Sequence, residues 1–282
     1  MLGCVWAYVA IAMSLQFNGI TLQCNDIARA AIRLGFHDAG TWSSALAASG
    51  QDFGGADGSI ALSGTEVNRP ENNGLQAIIK QMITWQKTFG VPMADLIQFG
   101  AVHAVVTCPL GPRVRFFAGR KDSKVAAPDG LLPSATASAD SLVSLFEDKT
   151  MSAHDLAALV GAHSTSKQFF FNKPAAAAPQ DGTPGVWDVL FYNQTLENTP
   201  KKVFRLPSDI ALAQHPAMAD EWTKFRQPNN VGQKHWNEDY AKAYTRLSLL
   251  GVNNINNLTE CSKALPPAKP TFLGSSTLFV DS

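Results

Sequence analysis

Residues 31–40 read AIRLGFHDAG, an apolar run interrupted by an arginine, a histidine and an aspartate. Arg33 and His37 are four residues apart, so on a helix they share one face, about one turn from each other. Asp38 is rotated from that face by about 100°. A cation beside a titratable base is a pairing suited to moving a proton while stabilising developing negative charge. Taken alone, the same residues also suit a helix end that carries a satisfied core histidine. The carboxylate of Asp38, facing elsewhere, needs a partner of its own.

Four more segments supply candidates. The loop GGADGSI carries Gly55, Asp57 and Ser59 soon after Asp38. Two carboxylates, a hydroxyl and the carbonyls of a glycine-rich turn are hard oxygen ligands, a calcium-like set. The segment VGAHS places His163 four residues after Leu159 and seven after Leu156, which predicts a position on that helix's buried stripe. Ser164 opens a Ser-x-x-Lys match, but the Ser-Asp-Asn and Lys-Thr-Gly elements that would make it a nucleophile are absent. In DGTPGVWD, Asp181, Thr183 and Asp188 sit in an irregular loop and again offer oxygen. Asp209, in LPSDIAL, stands near a predicted helix start.

The elements that must position these residues read as helices. Apolar residues make up 45% of the 282-residue chain and charged residues 16%, which suits a packed core. Leu75, Ile78, Ile79, Met82 and Ile83 form a stripe that closes at Gly90, and PMADLIQFGAVHAVVTC reads as a buried helix. Ser152 and Asp155 predict a capping box. Tyr240, Tyr244, Leu247 and Leu250 align before a glycine stop. Long strand patterns are absent, so the expected fold is mostly α with long loops and an extended, Pro-rich C-terminal tail. Trp6, Val9 and Met13 fit one face of a first helix. The same segment also has the apolarity of a secretion signal without its basic start, so the true signal is expected to be missing from this sequence. Lysine plus arginine equals aspartate plus glutamate, at 23 each, which gives no footing for nucleic acid. No apolar run is long enough to span a bilayer. The four cysteines allow three disulfide pairings, and no CxxC pair suggests zinc. Asn193 and Asn257 begin N-glycosylation triplets.

Taken together and in this order, RLGFHDAG, GGADGSI, VGAHS and DGTPGVWD resemble the secreted fungal class II haem peroxidases of the plant-peroxidase superfamily, from about Cys4 to Cys261. The resemblance implies a two-lobed helical fold holding haem b between a distal lobe, residues 1–130, and a proximal lobe, residues 131–282. It implies reduction of hydrogen peroxide to water at the expense of small aromatic donors, by a secreted monomer. His37 would be the distal base, Arg33 the distal cation, and Phe36 the aromatic beside the haem. Asn72 would fix the His37 tautomer, with Glu66 supporting it. His163 would be the iron ligand and Asp209 its carboxylate partner. Two Ca²⁺ are implied: a distal ion on Asp38, Gly55, Asp57 and Ser59, and a proximal ion on Ser164, Asp181, Thr183, Val186 and Asp188. Cys24–Cys108 and Cys4–Cys261 would be disulfides. Two other family bridges are missing, and Asp220 stands where one of their cysteines would be.

Departures from the family pattern define a subtype. Asp26, Ala30 and Phe169 occupy the three acidic positions of the manganese oxidisers, leaving one carboxylate. Ala158 replaces the surface tryptophan of the high-potential ligninolytic members, and Gln180 replaces a common proximal aromatic. The expectation is a generic peroxidase for phenols. The rival is a peroxidase-fold secreted binder that no longer turns over.

Overall fold

The computed structural model describes residues 2–197 and 199–272, with only the backbone of residues 2–4 and of Ile20. The described residues form twelve α-helices. The first half holds α1 (Leu2–Phe17), α2 (Asp26–Ala39), α3 (Ser44–Ala48), α4 (Ser59–Leu62), α5 (Gln76–Phe89) and α6 (Met93–Thr107). The second half holds α7 (Ala139–Asp148), α8 (Ala153–Val160), α9 (Leu190–Leu196), α10 (Pro207–Gln214), α11 (Pro216–Phe225) and α12 (Val231–Leu247). Strands are limited to two short antiparallel pairs: β1 (Phe117–Ala118) with β4 (Thr259–Glu260), and β2 (Lys167–Gln168) with β3 (Ala178–Pro179).

Local chemistry explains most boundaries. The Asn25 side chain accepts from the N–H groups of Ile27 and Ala28 and so caps α2. Ser152 and Asp155 form a reciprocal capping box at α8. Helix α5 stops at Gly90 in the left-handed region. Every residue of α6 is buried, so α6 is the central helix of the first half. Its main partner is α2, and α1 and α5 cover its other sides. Gly35 lets α2 approach its neighbours closely: a Cβ there would lie 2.1 Å from the Tyr244 hydroxyl on α12 and 2.5 Å from Ala101. Trp6, Val9 and Met13 form the buried stripe of α1. In the second half, α8 packs on α11 and α12. Trp187 stacks on Trp236 with ring centroids 4.8 Å apart, inside an aromatic core that includes Tyr192, Trp222 and Tyr240.

A disulfide joins Cys24, before α2, to Cys108, after α6. The expected bridge from Cys4 to Cys261 needs correction. Cys261 carries a free, buried thiol, although α1 runs beside residues Ser262–Ala264. The side chain of Cys4 itself lies outside the described residues, as does the end of the expected tail, residues 273–282.

Candidate functional site

Helix α2 presents Arg33 and His37 one turn apart on one face, as their spacing predicts. Arg33 Nε donates to His37 Nε2 across 3.1 Å. The other ring nitrogen, Nδ1, lies 2.8 Å from Asn72 Oδ1. Asn72 is held in turn by donating through Nδ2 to the Glu66 carbonyl, at 2.7 Å. Glu66 joins this network through its backbone, while its buried carboxylate accepts from the Ala127 N–H at 2.9 Å. One short turn holds both catalytic candidates of α2. Asn72 takes the histidine, and the flanking carbonyls of Glu71 and Asn73 accept from the Arg33 guanidinium at 2.6 and 2.8 Å. Phe36 lies against His37 and stacks on Phe146 of α7. Sequence inspection missed Glu71, Asn73 and Phe146. Carbonyls carry no residue-type signal, and Phe146 reads as one more core residue.

The other side of the site follows α8. The α-helix ends at Val160 and the chain continues as a 3₁₀ turn, Gly161–Thr165. His163 is therefore half-exposed, not on a continued buried stripe: Leu156 and Leu159 are buried, but the tighter turn rotates His163 out of line. Its Nδ1 lies 3.1 and 3.2 Å from the two oxygens of Asp209, in the first turn of α10. Gln180 Nε2 also donates to Asp209 Oδ2, at 2.9 Å, so the carboxylate is shared. Phe191 of α9 packs edge-on against the His163 ring.

Electrostatics link the two sides. Desolvation by the surrounding protein lowers Arg33 to about 10 and is the largest cause of lowering His37 to about 3, although all three key side chains remain accessible to solvent. The Arg33 cation and, more weakly, His163 also lower His37, and Arg33 opposes protonation of His163. Burial would lower His163 as well, but the Asp209 carboxylate outweighs it and raises the pKa. The exposed rings of Phe169, Phe170 and Phe171 follow His163 in sequence, and Phe170 lies against Gly74 beside the Arg33 guanidinium.

Both oxygen-rich sets are assembled. Asp38 is buried and accepts from the Gly58 N–H at 3.1 Å. Asp57 Oδ1 accepts from the Ser59 N–H at 2.9 Å. Gly55 adopts φ +89°, and a Cβ there would lie 2.3 Å from the Leu250 carbonyl, so only glycine fits. Burial, Asp57 and Glu66 hold the Asp38 carboxyl well above the usual range. In the second set, Ser164 Oγ donates to the Val186 carbonyl at 3.2 Å and accepts from the Asp188 N–H at 3.2 Å. Thr183 Oγ1 donates to Asp188 Oδ2 at 2.7 Å, and the Thr183 N–H to Asp181 Oδ1 at 2.8 Å. Burial raises both aspartates, Asp188 to about 6. Ser59 Oγ and Asp181 Oδ2 are buried without a hydrogen-bond partner. Repelling carboxylates and orphaned oxygens are what a hard cation would relieve.

Of the manganese positions, Asp26 is exposed and already paired with Arg29, with Lys167 Nζ 3.9 Å away. Ala158 is buried.

Comparison with known proteins agrees with this geometry. A family model described as peroxidase matches residues 16–228. The chain is 34% identical to a peroxidase of Arthromyces ramosus over 94% of this chain and 76% of that protein. It matches a peroxidase of Coprinopsis cinerea to the same extent. It is 31% identical to a low-redox potential peroxidase of Taiwanofungus camphoratus, over 93% of this chain and 84% of that one. With each histidine buttressed through Nδ1 and most of its length matched, this chain belongs to the peroxidase family and is a haem-dependent enzyme that uses hydrogen peroxide.

Proposed function

We propose that this enzyme oxidises phenols and similar small aromatic donors one electron at a time, using haem b and two structural Ca²⁺, as a secreted monomer. Residues 1–130 and 131–282 form the two walls of the haem slot, and the β1–β4 pair ties them together across that division. The observation that carries the reading is the contrast in the two histidines' partners. His37 donates its Nδ1–H to a neutral amide oxygen, which leaves Nε2 as a lone pair. His163 spends Nδ1 on a carboxylate, which leaves Nε2 to bind iron.

Bound haem supplies two electrons for O–O cleavage and regains them singly from two donor molecules. The chain's own residues manage the protons and charge. His37 Nε2, with its pKa near 3, is unprotonated and takes the proton of one peroxide oxygen. Arg33 lets go of Nε2 and turns its cation to the negative charge on the departing oxygen. His37 then delivers the proton to that oxygen, which leaves as water. Asn72 holds the tautomer throughout. Asp209 gives the His163 ring anionic character, weakened by its bond to Gln180.

Calcium fits both oxygen sets. The distal ion takes Asp38, Gly55, Asp57 and Ser59, and the proximal ion Ser164, Asp181, Thr183, Val186 and Asp188. Each is anchored to the residue after a key histidine. Donor choice follows from the rim. Where three carboxylates would hold Mn²⁺, this chain offers one neutralised aspartate, Ala30 and the exposed ring of Phe169. The Cys24–Cys108 bridge suits an oxidising compartment. Asn257 is exposed and open to glycosylation, whereas Asn193 is held by Arg226 Nε at 2.9 Å. The decisive experiment records visible spectra of haem-loaded protein before and after peroxide, then turnover with phenols, high-potential aromatics and Mn²⁺. Fast phenol oxidation with negligible Mn²⁺ turnover is expected. Preferential Mn²⁺ oxidation would overturn the donor assignment.

A further inference from the structure

A second cluster of ligating side chains lies at the opposite end of α8 from His163. His154 stands in the first turn of α8, Glu221 on α11, and His235 and Asp239 one turn apart on α12. Each histidine reaches both carboxylates. His154 Nδ1 is 3.4 Å from Glu221 Oε1, and its Nε2 is 3.2 Å from Asp239 Oδ2. His235 Nε2 is 3.1 Å from Glu221 Oε2 and 2.9 Å from Asp239 Oδ2. The carboxylates are nearly enclosed, with 12% and 9% of their side chains exposed, while the histidines are 43% and 39% exposed.

Ordinary pairing accounts for the Glu221 side of the cluster, where His235 Nε2 hydrogen-bonds Oε2 at 3.1 Å, but not for Asp239 Oδ2. Lys224 Nζ lies 2.8 Å from Glu221 Oε1, the oxygen that His154 Nδ1 also faces, whereas Lys242 Nζ, 3.2 Å from Asp239 Oδ1, uses the opposite edge of that carboxylate. Asp239 Oδ2 is buried and accepts no hydrogen bond, although two imidazole nitrogens lie within 3.2 Å of it. The rings approach without aiming N–H groups at that oxygen. A buried carboxylate oxygen left in this way is costly. A cation shared by the nitrogen lone pairs and the oxygens removes the cost.

We propose that His154, Glu221, His235 and Asp239 form a binding site for a divalent first-row transition ion, with zinc the ion of first choice. Two imidazoles with two carboxylates is a borderline donor set that suits zinc and its neighbours over calcium or magnesium. Ligands about 2.0–2.1 Å from a tetrahedral ion lie about 3.3 Å from one another. With His154 ligating through Nε2, the nitrogen–oxygen separations here, 2.9 to 3.2 Å, lie just short of that value. His235 and Asp239 are spaced i, i+4, so α12 alone presents two ligands on one face. Such an ion would staple α8, α11 and α12 together at their outer end. Helix α8 ends at Val160 and its 3₁₀ continuation carries His163, nine residues after His154 and roughly 15 Å further along, so the staple reinforces the haem-bearing wall.

The test uses the haem-loaded, calcium-saturated enzyme, freed of loosely bound metal and titrated calorimetrically with zinc chloride in excess calcium. One zinc per chain with micromolar or tighter affinity is expected, with a rise in melting temperature on binding. H154Q and H235Q remove half-exposed ligands without touching the peroxide site. Each should keep the haem spectrum and basal peroxide rate but weaken zinc binding about 100-fold or more and lose the thermal shift. Zinc affinity and thermal shift unchanged in both variants would overturn the proposal. So would the absence of stoichiometric binding at about 0.1 mM zinc, a free energy too weak for a built site.

Discussion

His37 and His163 differ in the partner of Nδ1. His37 is buttressed by the neutral amide of Asn72, and His163 by the carboxylate of Asp209. Both are desolvated, and that alone lowers a histidine's pKa. His37 goes down to about 3, while His163 goes up. A neutral acceptor fixes a tautomer without holding an extra proton, which suits a base that must pick up a proton and give it away. An anionic acceptor pushes electron density onto the ring, which suits a permanent ligand. The same residue type takes opposite roles because its neighbour does or does not carry charge.

That contrast can be broken outright. His37→Ala should leave haem bound and slow the peroxide reaction about 10²–10⁴-fold, followed by stopped-flow absorbance. His163→Ala should instead weaken haem retention and shift the resting spectrum. Equal, mild losses from both would refute the division of roles.

Exchanging the partners probes it more finely. Asp209→Asn should raise the iron reduction potential and slow peroxide cleavage about 10–100-fold. Asn72→Asp should draw His37 toward the His163 state: its pKa rises, and the acid limb of the pH–rate profile moves to higher pH. An unmoved profile would show that Asn72 does not set the basicity of His37.

The calcium sets make a pH prediction with a definite sign. Asp38, Asp181 and Asp188 have folded pKa values raised above their unfolded values, Asp188 to about 6. Without calcium, their contribution to stability is fully present below the usual carboxylate range and is lost as pH rises toward the folded values, through about 6 for Asp188. With calcium bound, the carboxylates are ionised and that loss is offset, so binding releases protons. Chelation should therefore lower the melting temperature far more at pH 7 than at pH 5. A gap that is constant with pH, or no gap, would overturn the calcium assignment.

The smallest effect sharpens the comparison on the proximal side. Gln180 occupies part of Asp209. Gln180→Leu should free that oxygen for His163 and lower the potential by roughly 40 mV, the equivalent of about 1 kcal/mol for one hydrogen bond. A rise in potential would contradict the proposed sharing.

Much of the site was legible because it is written locally. Arg33 and His37 meet through a four-residue spacing, and the capping box of α8 is a contact between residues three apart. Other features were not. The stripe through Leu156 and Leu159 predicted a buried His163, because periodicity cannot show where an α-helix tightens into a 3₁₀ turn. The role of Gln180 was visible only as an oddity, since its meaning depends on Asp209, 29 residues away. The free thiol of Cys261 shows the same limit, because pairing depends on converging Cβ atoms, which residue order does not encode.

The sequence by itself determined the helical character, the helix caps, and which residues offer a base, a cation and hard oxygens. Periodicity and capping are contacts within one or two turns, and ligand chemistry belongs to the side chain. Only the tertiary structure decided who stands beside whom. It brought Asn72 to His37 across 35 residues and Asp209 to His163 across 46. It also gathered His154, Glu221, His235 and Asp239 from three helices into one cluster. Those meetings arise from how buried faces pack. They also set the electrostatics, because the charge a group carries depends on the neighbours with which it is desolvated.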